Sequence, residues 1–315
     1  MKQIKRLLKR FTLVRKFIQK RNNYLYKKSV NNKLNLLKTN SSLLNTLTNK
    51  EKEHWESRIE LLLESPDNNK IHHTSKAGKF NKHNNLVMHN GLIIDPLSYY
   101  GFPMLEALVR NKGVHEPQEE YAFQEVLKEI PNYGVMIELG SYWSFYSMWF
   151  NMRIKNATNY MIEPEYVNSG RRNFNLNKMK GDFTQAYISD CSNKNRVESE
   201  TITICIDDFI NEKNIEFVDI LHSDIQGYEF LMLKGAEKML DKKNVGYIFI
   251  STHSQDLHYD CMNYLKSKGY ILVCSSDINE SYSWDGLLVF KNPKYNGIET
   301  INISKRGLNK KQGTA

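Results

Sequence analysis

Val218 to Glu237 reads VDILHSDIQGYEFLMLKGAE. An apolar run, Val218 to Leu221, ends in His222 and Asp224, and a helix-like pattern follows Gly227 with Phe230, Leu231, Leu233 and Met239 at apolar spacing. Strand, turn and helix in that order make one unit of an α/β fold. The bland account of His222 and Asp224 is an ordinary turn, and the neighbouring segments decide whether they mean more.

The same alternation fills residues 134–294. GVMIEL, NYMIEP, FTQAYISD, VDILHSD and YIFIST read as strands, TITICIDDFI contains a short strand running into a helix or turn, and helical patterns separate most of them. YILVCSS and GLLVF come last with no helix between them, which predicts an antiparallel hairpin at one edge. The expected fold is α/β: a Rossmann-like, mostly parallel sheet with helices on both faces. Residues 51–133 read as a helical lead-in with a small hairpin. Thr48 and Glu51 suit a capping box, Asn90-Gly91 suits a tight hairpin turn, and Pro117 suits a helix start. Residues 295–315 read as a frayed tail.

Ligands of open α/β sheets bind beyond the carboxyl ends of the strands. There the sequence places Glu138, Gly140 and Ser141 after the first strand, and Glu163 after the second. Ser189 and Asp190 follow the third, His222 and Asp224 follow VDIL, and His253 follows YIFIST. The first turn, ELGSYWSFYS, has one glycine where a dinucleotide fingerprint has three, so a pyrophosphate cradle is not expected. An acid at Glu138 suits a cation. Glu163, 23 positions after Gly140, suits ribose hydroxyls, or else the dipole of the following helix. Asp190 suits an adenine amino group. A nucleoside without phosphate that carries positive charge describes S-adenosyl-L-methionine. The cofactor set is therefore Glu138, Gly140, Ser141, Glu163, Ser189 and Asp190.

Five segments in order resemble the FkbM-type family of S-adenosylmethionine-dependent methyltransferases, over roughly residues 115–292. They are GVHEPQEEYAF, IELGSYWSFYS, IEPEYVNSGRRNFNLN, TICIDDFI and VDILHSDIQGYEFLMLKGAE. The last is the longest and most specific, matching the family signature at Asp219, Asp224, Gly227, Glu229, Leu233, Lys234, Gly235 and Ala236. The resemblance implies a class I methyltransferase fold and O-methylation of a sugar, glycan or small metabolite. Three positions depart from the family pattern. Tyr142 stands for its Asn, Ser144 for its second turn glycine, and His222 for its Lys, so a wider turn with an aromatic beside the cofactor is expected.

Methyl transfer to a hydroxyl needs alignment and a route for a proton. His253, His222 and Asp224 are the candidate catalytic groups, His because its ordinary pKa lies near neutrality. No metal set is assigned. Asp224 with His253 is the pair a divalent ion would use, although a hard cation normally takes more oxygens than these supply. Tyr142, Trp143, Tyr282 and Trp284 are candidates for an aromatic wall, and His258 for a cap or a solvent-facing side chain.

Charge is uneven along the 315 residues. Of 44 Lys and Arg, 14 fall in residues 1–50, which hold no Asp or Glu, while the other 30 face 35 acids. Residues 1–50 therefore form a basic arm and linker on an acidic body. Within 1–21, apolar residues recur at helical spacing with Lys and Arg between them. Three uses stay open: peripheral contact with an anionic membrane, a plain extension, or nucleic-acid binding. Two other functions stay open beside sugar methylation, a nucleic-acid methyltransferase and a non-catalytic module of the same fold. No run of about 18 apolar residues occurs, so no membrane span is expected. The scattered Cys191, Cys205, Cys261 and Cys274 fit a reducing compartment, and a cytoplasmic location is expected, with peripheral contact at the inner membrane face among the uses left open for the arm.

Overall fold

A central sheet of seven strands runs in the order β10-β11-β9-β8-β3-β4-β5. Its strands are β3 (Val135–Leu139), β4 (Thr158–Ile162), β5 (Asp182–Thr184), β8 (Val218–Ser223), β9 (Val245–Thr252), β10 (Ile271–Ser276) and β11 (Gly286–Lys291). This is a computed structural model that describes residues 28, 30–39, 41–193 and 201–307. The arm proposed for residues 1–21 lies outside them. Neighbouring strands from β5 to β9 are parallel, and β11 runs antiparallel to both β9 and β10. The fold is thus a Rossmann-like α/β sheet with an antiparallel pair at one end. From β3 the chain builds outward first to β4 and β5, then the other way to β8 and β9. The switch point lies between β3 and β8, where ligands of such sheets bind.

The chain divides into residues 1–52 and residues 53–315. In the first unit, α1 covers residues 30–38, and the expected capping box forms. The Thr48 backbone N–H donates to Glu51 Oε2 at 3.0 Å, and the Glu51 N–H donates to Thr48 Oγ1 at 3.4 Å. Helix α2 spans Asn49–Glu64.

In the second unit, β1 (Leu86–Val87) and β2 (Ile93–Ile94) make the small hairpin around Asn90-Gly91. Helices α3 (Gly101–Arg110) and α4 (Pro117–Val126) follow, with Pro117 in the first turn of α4. Then come α5 (Phe145–Arg153), α6 (Val167–Leu176), β6 (Ala186–Ile188), β7 (Ile202–Ile204), α7 (Ile206–Lys213), α8 (Glu229–Gly235), α9 (Glu237–Asp241) and α10 (Gln255–Ser267).

Side chains alternate across the strands. Ile137, Leu139, Leu221, Ile248 and Ile250 face a core shared with Met232, Leu233, Met239 and Leu265 of α8 to α10. Glu138, His222 and Phe249 sit side by side in register on the other face. The Phe123 ring of α4 touches both His222 and Phe249 there. That packing carries the acidic face of α4 onto the strand end where His222 sits.

Three expectations need correction. FTQAYISD is two strands. β4 ends at Ile162 before Glu163-Pro164, so β5 has no partner past Thr184, and β6 leaves to pair with β7 in a separate sheet. The helix after Gly227 breaks at Ala236. The Asp207 carboxylate accepts the N–H groups of Lys238 and Met239, both at 2.9 Å, and so caps α9 separately. Residues 295–307 are not frayed. The Ser304 N–H and hydroxyl both donate to buried Asp67, and the Ile301 N–H donates to the Val273 carbonyl. The Ser304 bonds join that of Lys70, 2.7 Å from Asp67 Oδ1, in satisfying a buried carboxylate.

Candidate functional site

The β3 turn is built around one glycine. The Gly140 N–H donates to the Ile162 carbonyl at 2.9 Å, and the Asp224 N–H donates to the Leu139 carbonyl at 3.0 Å. These bonds pull the ends of β3, β4 and β8 together. Gly140 has φ +68°, and a Cβ there would lie 1.8 Å from the Asp224 carbonyl oxygen. The departures at Tyr142 and Ser144 do not change the handedness of the turn. Both hold left-handed backbone, at φ 37° and 60°, a conformation that favours glycine. The backbone follows a glycine-type path under strain.

A cavity of about 670 Å³ opens at the switch point. It is large enough for a nucleoside-sized ligand. Of the expected cofactor residues, Glu138, Gly140, Ser141, Glu163 and Ser189 line it. Asp190 does not. It is exposed one residue beyond β6's turn, where its carboxylate accepts the Ser189 hydroxyl. The split of the third strand carries it away from the cavity.

Glu163 Oε1 accepts the N–H groups of Glu165 and Tyr166, and Oε2 accepts that of Tyr142 at 3.1 Å. Both readings of this residue therefore have a basis, since it ties the turns together and also faces the cavity. A carboxylate offers about four acceptor directions, so one is left for a ligand. Glu138 accepts the Ser147 N–H at 3.1 Å. Burial pushes its carboxyl up to about 7, against the lowering effect of His222 and Ser147. A cation bound beside Glu138 would favour its ionised form. Affinity for a cationic ligand is thus expected to fall as pH drops through about 7 and to level off above it. Calorimetric titration at pH 6 and pH 8 measures this, and Glu138→Gln should flatten the difference.

His222 and Asp224 line the cavity, and His253 stands behind Asp224. His222 Nε2 donates to Glu119 Oε1 at 2.6 Å, and Glu119 Oε2 accepts the Ser251 hydroxyl at 2.9 Å. Burial would lower the His222 pKa, but the Glu119 carboxylate outweighs this and raises it. His253 Nδ1 donates to Glu229 Oε1 at 2.8 Å, and its Nε2 lies 3.2 Å from Asp224 Oδ1 and 3.6 Å from Asp285 Oδ1. Burial opposes its charge, yet the Asp224 and Glu229 carboxylates push His253 up to about 11. Nδ1 is thus engaged by Glu229, while Nε2 faces two carboxylates without a hydrogen bond to either, a setting that favours the imidazolium over the free base. Asp224 gains what His253 loses. Burial raises its pKa, and His253 outweighs that and holds it below the ordinary value. Gln226 also donates to it at 3.1 Å. Asp224 thus faces the cavity with its ionised form favoured.

Among the described residues no group of three or more His, Cys, Asp or Glu is arranged for a metal ion. Asp224 and His253 pair with each other instead. His258 is neither a cap nor exposed. It is buried, with Nδ1 2.9 Å from the Thr252 hydroxyl. Tyr142 and Trp143 line the cavity as part of the aromatic wall, whereas Tyr282 is buried away from it.

The sequence reading missed the second wall. His115 and Glu116 line the cavity, with Glu119 and Glu120 packed behind. His115 lies 2.6 Å from Glu120 and 3.1 Å from Glu116, and His89 lies 2.8 Å from Glu120. Burial disfavours the His115 charge, but the two carboxylates lift it to about 10. The Tyr146 hydroxyl donates to Glu116 at 2.8 Å. The signal was HEPQEEYAF, in which Glu119 and Glu120 share a helix face with apolar Phe123 at i+4 and i+3. Also missed were the tyrosines of the rim. Tyr100, Tyr166, Tyr187 and Tyr228 all line the cavity while staying exposed.

Residues 183–272 match the family model described as Methyltransferase FkbM domain, so the chain carries a methyltransferase domain there. No curated protein matches the chain. Among solved structures, M. capricolum TrmK in complex with S-adenosyl-homocysteine is 15% identical, over 56% of this chain and 69% of that one, with TM-score 0.38. The precorrin-6y C5,15-methyltransferase of Geobacter metallireducens GS-15 is 12% identical, over 54% and 87%, with TM-score 0.38. A Pyrococcus abyssi tRNA (uracil-54, C5)-methyltransferase in complex with S-adenosyl-L-homocysteine is 15% identical, over 55% and 38%, with TM-score 0.35.

Proposed function

We propose that this chain is an S-adenosyl-L-methionine-dependent methyltransferase that O-methylates a hydroxyl of a sugar or glycan. The observation that carries the cofactor reading is the switch-point cavity, with Glu138 and Glu163 at its wall on adjacent strand ends and no phosphate cradle. Glu138 is suited to the ligand's cationic end, and Glu163 has one acceptor direction left for a ribose hydroxyl. The bound cofactor supplies an electrophilic methyl group on a sulfonium. Asp224 then takes up the proton that the acceptor hydroxyl releases, and His253 keeps that carboxylate ionised and oriented. The sugar reading rests on the exposed tyrosine rim beside Asp224, because flat aromatic faces with nearby polar groups suit sugar rings.

Two measurements test this. Titration with S-adenosyl-L-homocysteine is expected to give saturable one-site heat, and absence of binding overturns the cofactor reading. Labelled S-adenosyl-L-methionine added with a total extract of the source cells is expected to label a glycan fraction. Label confined to nucleic acid or protein overturns the acceptor. No described helix is long and apolar enough to cross a membrane. Contact of residues 1–21 with a cytoplasmic membrane face is part of the same proposal, and flotation with anionic vesicles, with and without residues 1–50, tests it.

A further inference from the structure

Arg58, on α2, lies over two indole rings. Its guanidinium carbon lies 5.3 Å from the Trp55 ring centroid and 4.6 Å from that of Trp284. Among the described residues no carboxylate lies within ion-pair distance of it. A guanidinium that served only to neutralise charge would fold onto an acid, and Asp285 follows Trp284 directly in the chain. Its contacts with the two rings instead leave its N–H donors without a protein acceptor among the described residues, a fork that matches carboxylate and phosphate oxygens.

The position of this fork ties it to the site. Trp284 is in the loop between β10 and β11 and is 38% exposed. Asp285 lies 3.6 Å from His253, which lies 3.2 Å from Asp224. On another side, the Arg58 charge reaches Tyr100 of the cavity rim, whose hydroxyl burial pushes up to about 12 and Arg58 draws partly back. Arg58, Trp284 and Asp285 do not line the cavity themselves, but a neutral acceptor gives no reason for a guanidinium without a carboxylate partner among the described residues near its rim.

We infer that Arg58 binds an anionic group, a carboxylate or a phosphate, carried by the sugar acceptor whose hydroxyl meets Asp224. This rests on the transferase reading above and adds a specificity-determining residue to it. The alternative is that Arg58 only fastens α2 to the β10–β11 loop.

The test uses the full chain, labelled S-adenosyl-L-methionine and extract of the source cells, with wild type, Arg58→Met and Arg58→Lys. Arg58→Met keeps a flexible apolar stem over the two rings and removes the charge. Wild type is expected to give a nuclease-resistant product that an anion exchanger retains at pH 7. Phosphatase treatment abolishes the retention if the group is a phosphate and leaves it if the group is a carboxylate. Arg58→Met is expected to lower labelling at limiting extract about tenfold or more, the scale of one charge-assisted hydrogen-bonded contact. Its affinity for S-adenosyl-L-homocysteine should stay unchanged, and Arg58→Lys should restore part of the labelling. A neutral or nuclease-sensitive product overturns the inference whatever the variants do. So does wild-type labelling by Arg58→Met. If wild type itself labels nothing, the transferase reading fails instead, and S-adenosyl-L-homocysteine titration separates loss of cofactor binding from a wrong acceptor.

Discussion

Gly140→Ala is expected to destabilise the protein by several kcal/mol and to abolish binding of S-adenosyl-L-homocysteine. Two effects add at this position. Alanine in left-handed backbone costs roughly 1–2 kcal/mol. The new Cβ would also meet the Asp224 carbonyl oxygen at 1.8 Å and its carbonyl carbon at 2.8 Å. Both are main-chain atoms at the end of β8, so no side chain can swing aside, and overpacking of this kind costs about 1–3 kcal/mol or more. Relief requires β3 and β8 to part where their ends meet, which moves Asp224 relative to Glu138 and Glu163. Gly227→Ala is the control. Gly227 also has positive φ, +100°, but nothing lies within 4 Å of its added Cβ. It should lose only the backbone contribution and keep the cavity. Denaturant unfolding and calorimetry measure both variants. Equal loss in the two would show that strain, and not the approach to Asp224, demands glycine at position 140.

The sequence carried the sheet because each strand is apolar on its own and the helices between them keep their own period. Boundaries that depend on a pairing partner were not legible. FTQAYISD has one continuous strand-like pattern, and only the end of β4 before Pro164 divides it. Likewise, the ends of the strands marked the cavity, since Glu138, Glu163 and Asp224 follow from chain order. Their electrical state did not follow. His253 reads as a base when seen alone after β9. Glu229 and Asp285 come from a helix and a distant loop, and together with Asp224 they favour its charged form. The buried acids of α4 had a local signal in their shared face with Phe123. Arg58 had none, because nothing near it in sequence announces Trp284.

Asp224→Asn is expected to lower turnover about 10²–10⁴-fold, the usual contribution of a positioned general base, while S-adenosyl-L-homocysteine affinity changes little. The amide matches the carboxylate in size, so the β8 turn and its bond from the Asp224 N–H to Leu139 stay in place. The loss is the negative charge that accepts the acceptor proton. That fall corresponds to about 2.7–5.4 kcal/mol of transition-state stabilisation. The pH profile supplies a second readout. A carboxylate whose pKa is held down is active above that pKa and fails only as pH falls through it, so Asp224 should give no inflection between pH 6 and 9. An inflection near 7 should instead follow Glu138 and respond to cofactor concentration. His253→Gln should connect the two residues. Without the imidazolium, the Asp224 and Glu229 carboxylates face one another unshielded, and the Asp224 pKa should rise. The acid limb of the profile should then move to higher pH, while maximal turnover at alkaline pH largely recovers. A His253→Gln enzyme that is inactive at every pH would instead make His253 itself the proton acceptor. Wild-type turnover in Asp224→Asn would mean that alignment alone drives the transfer.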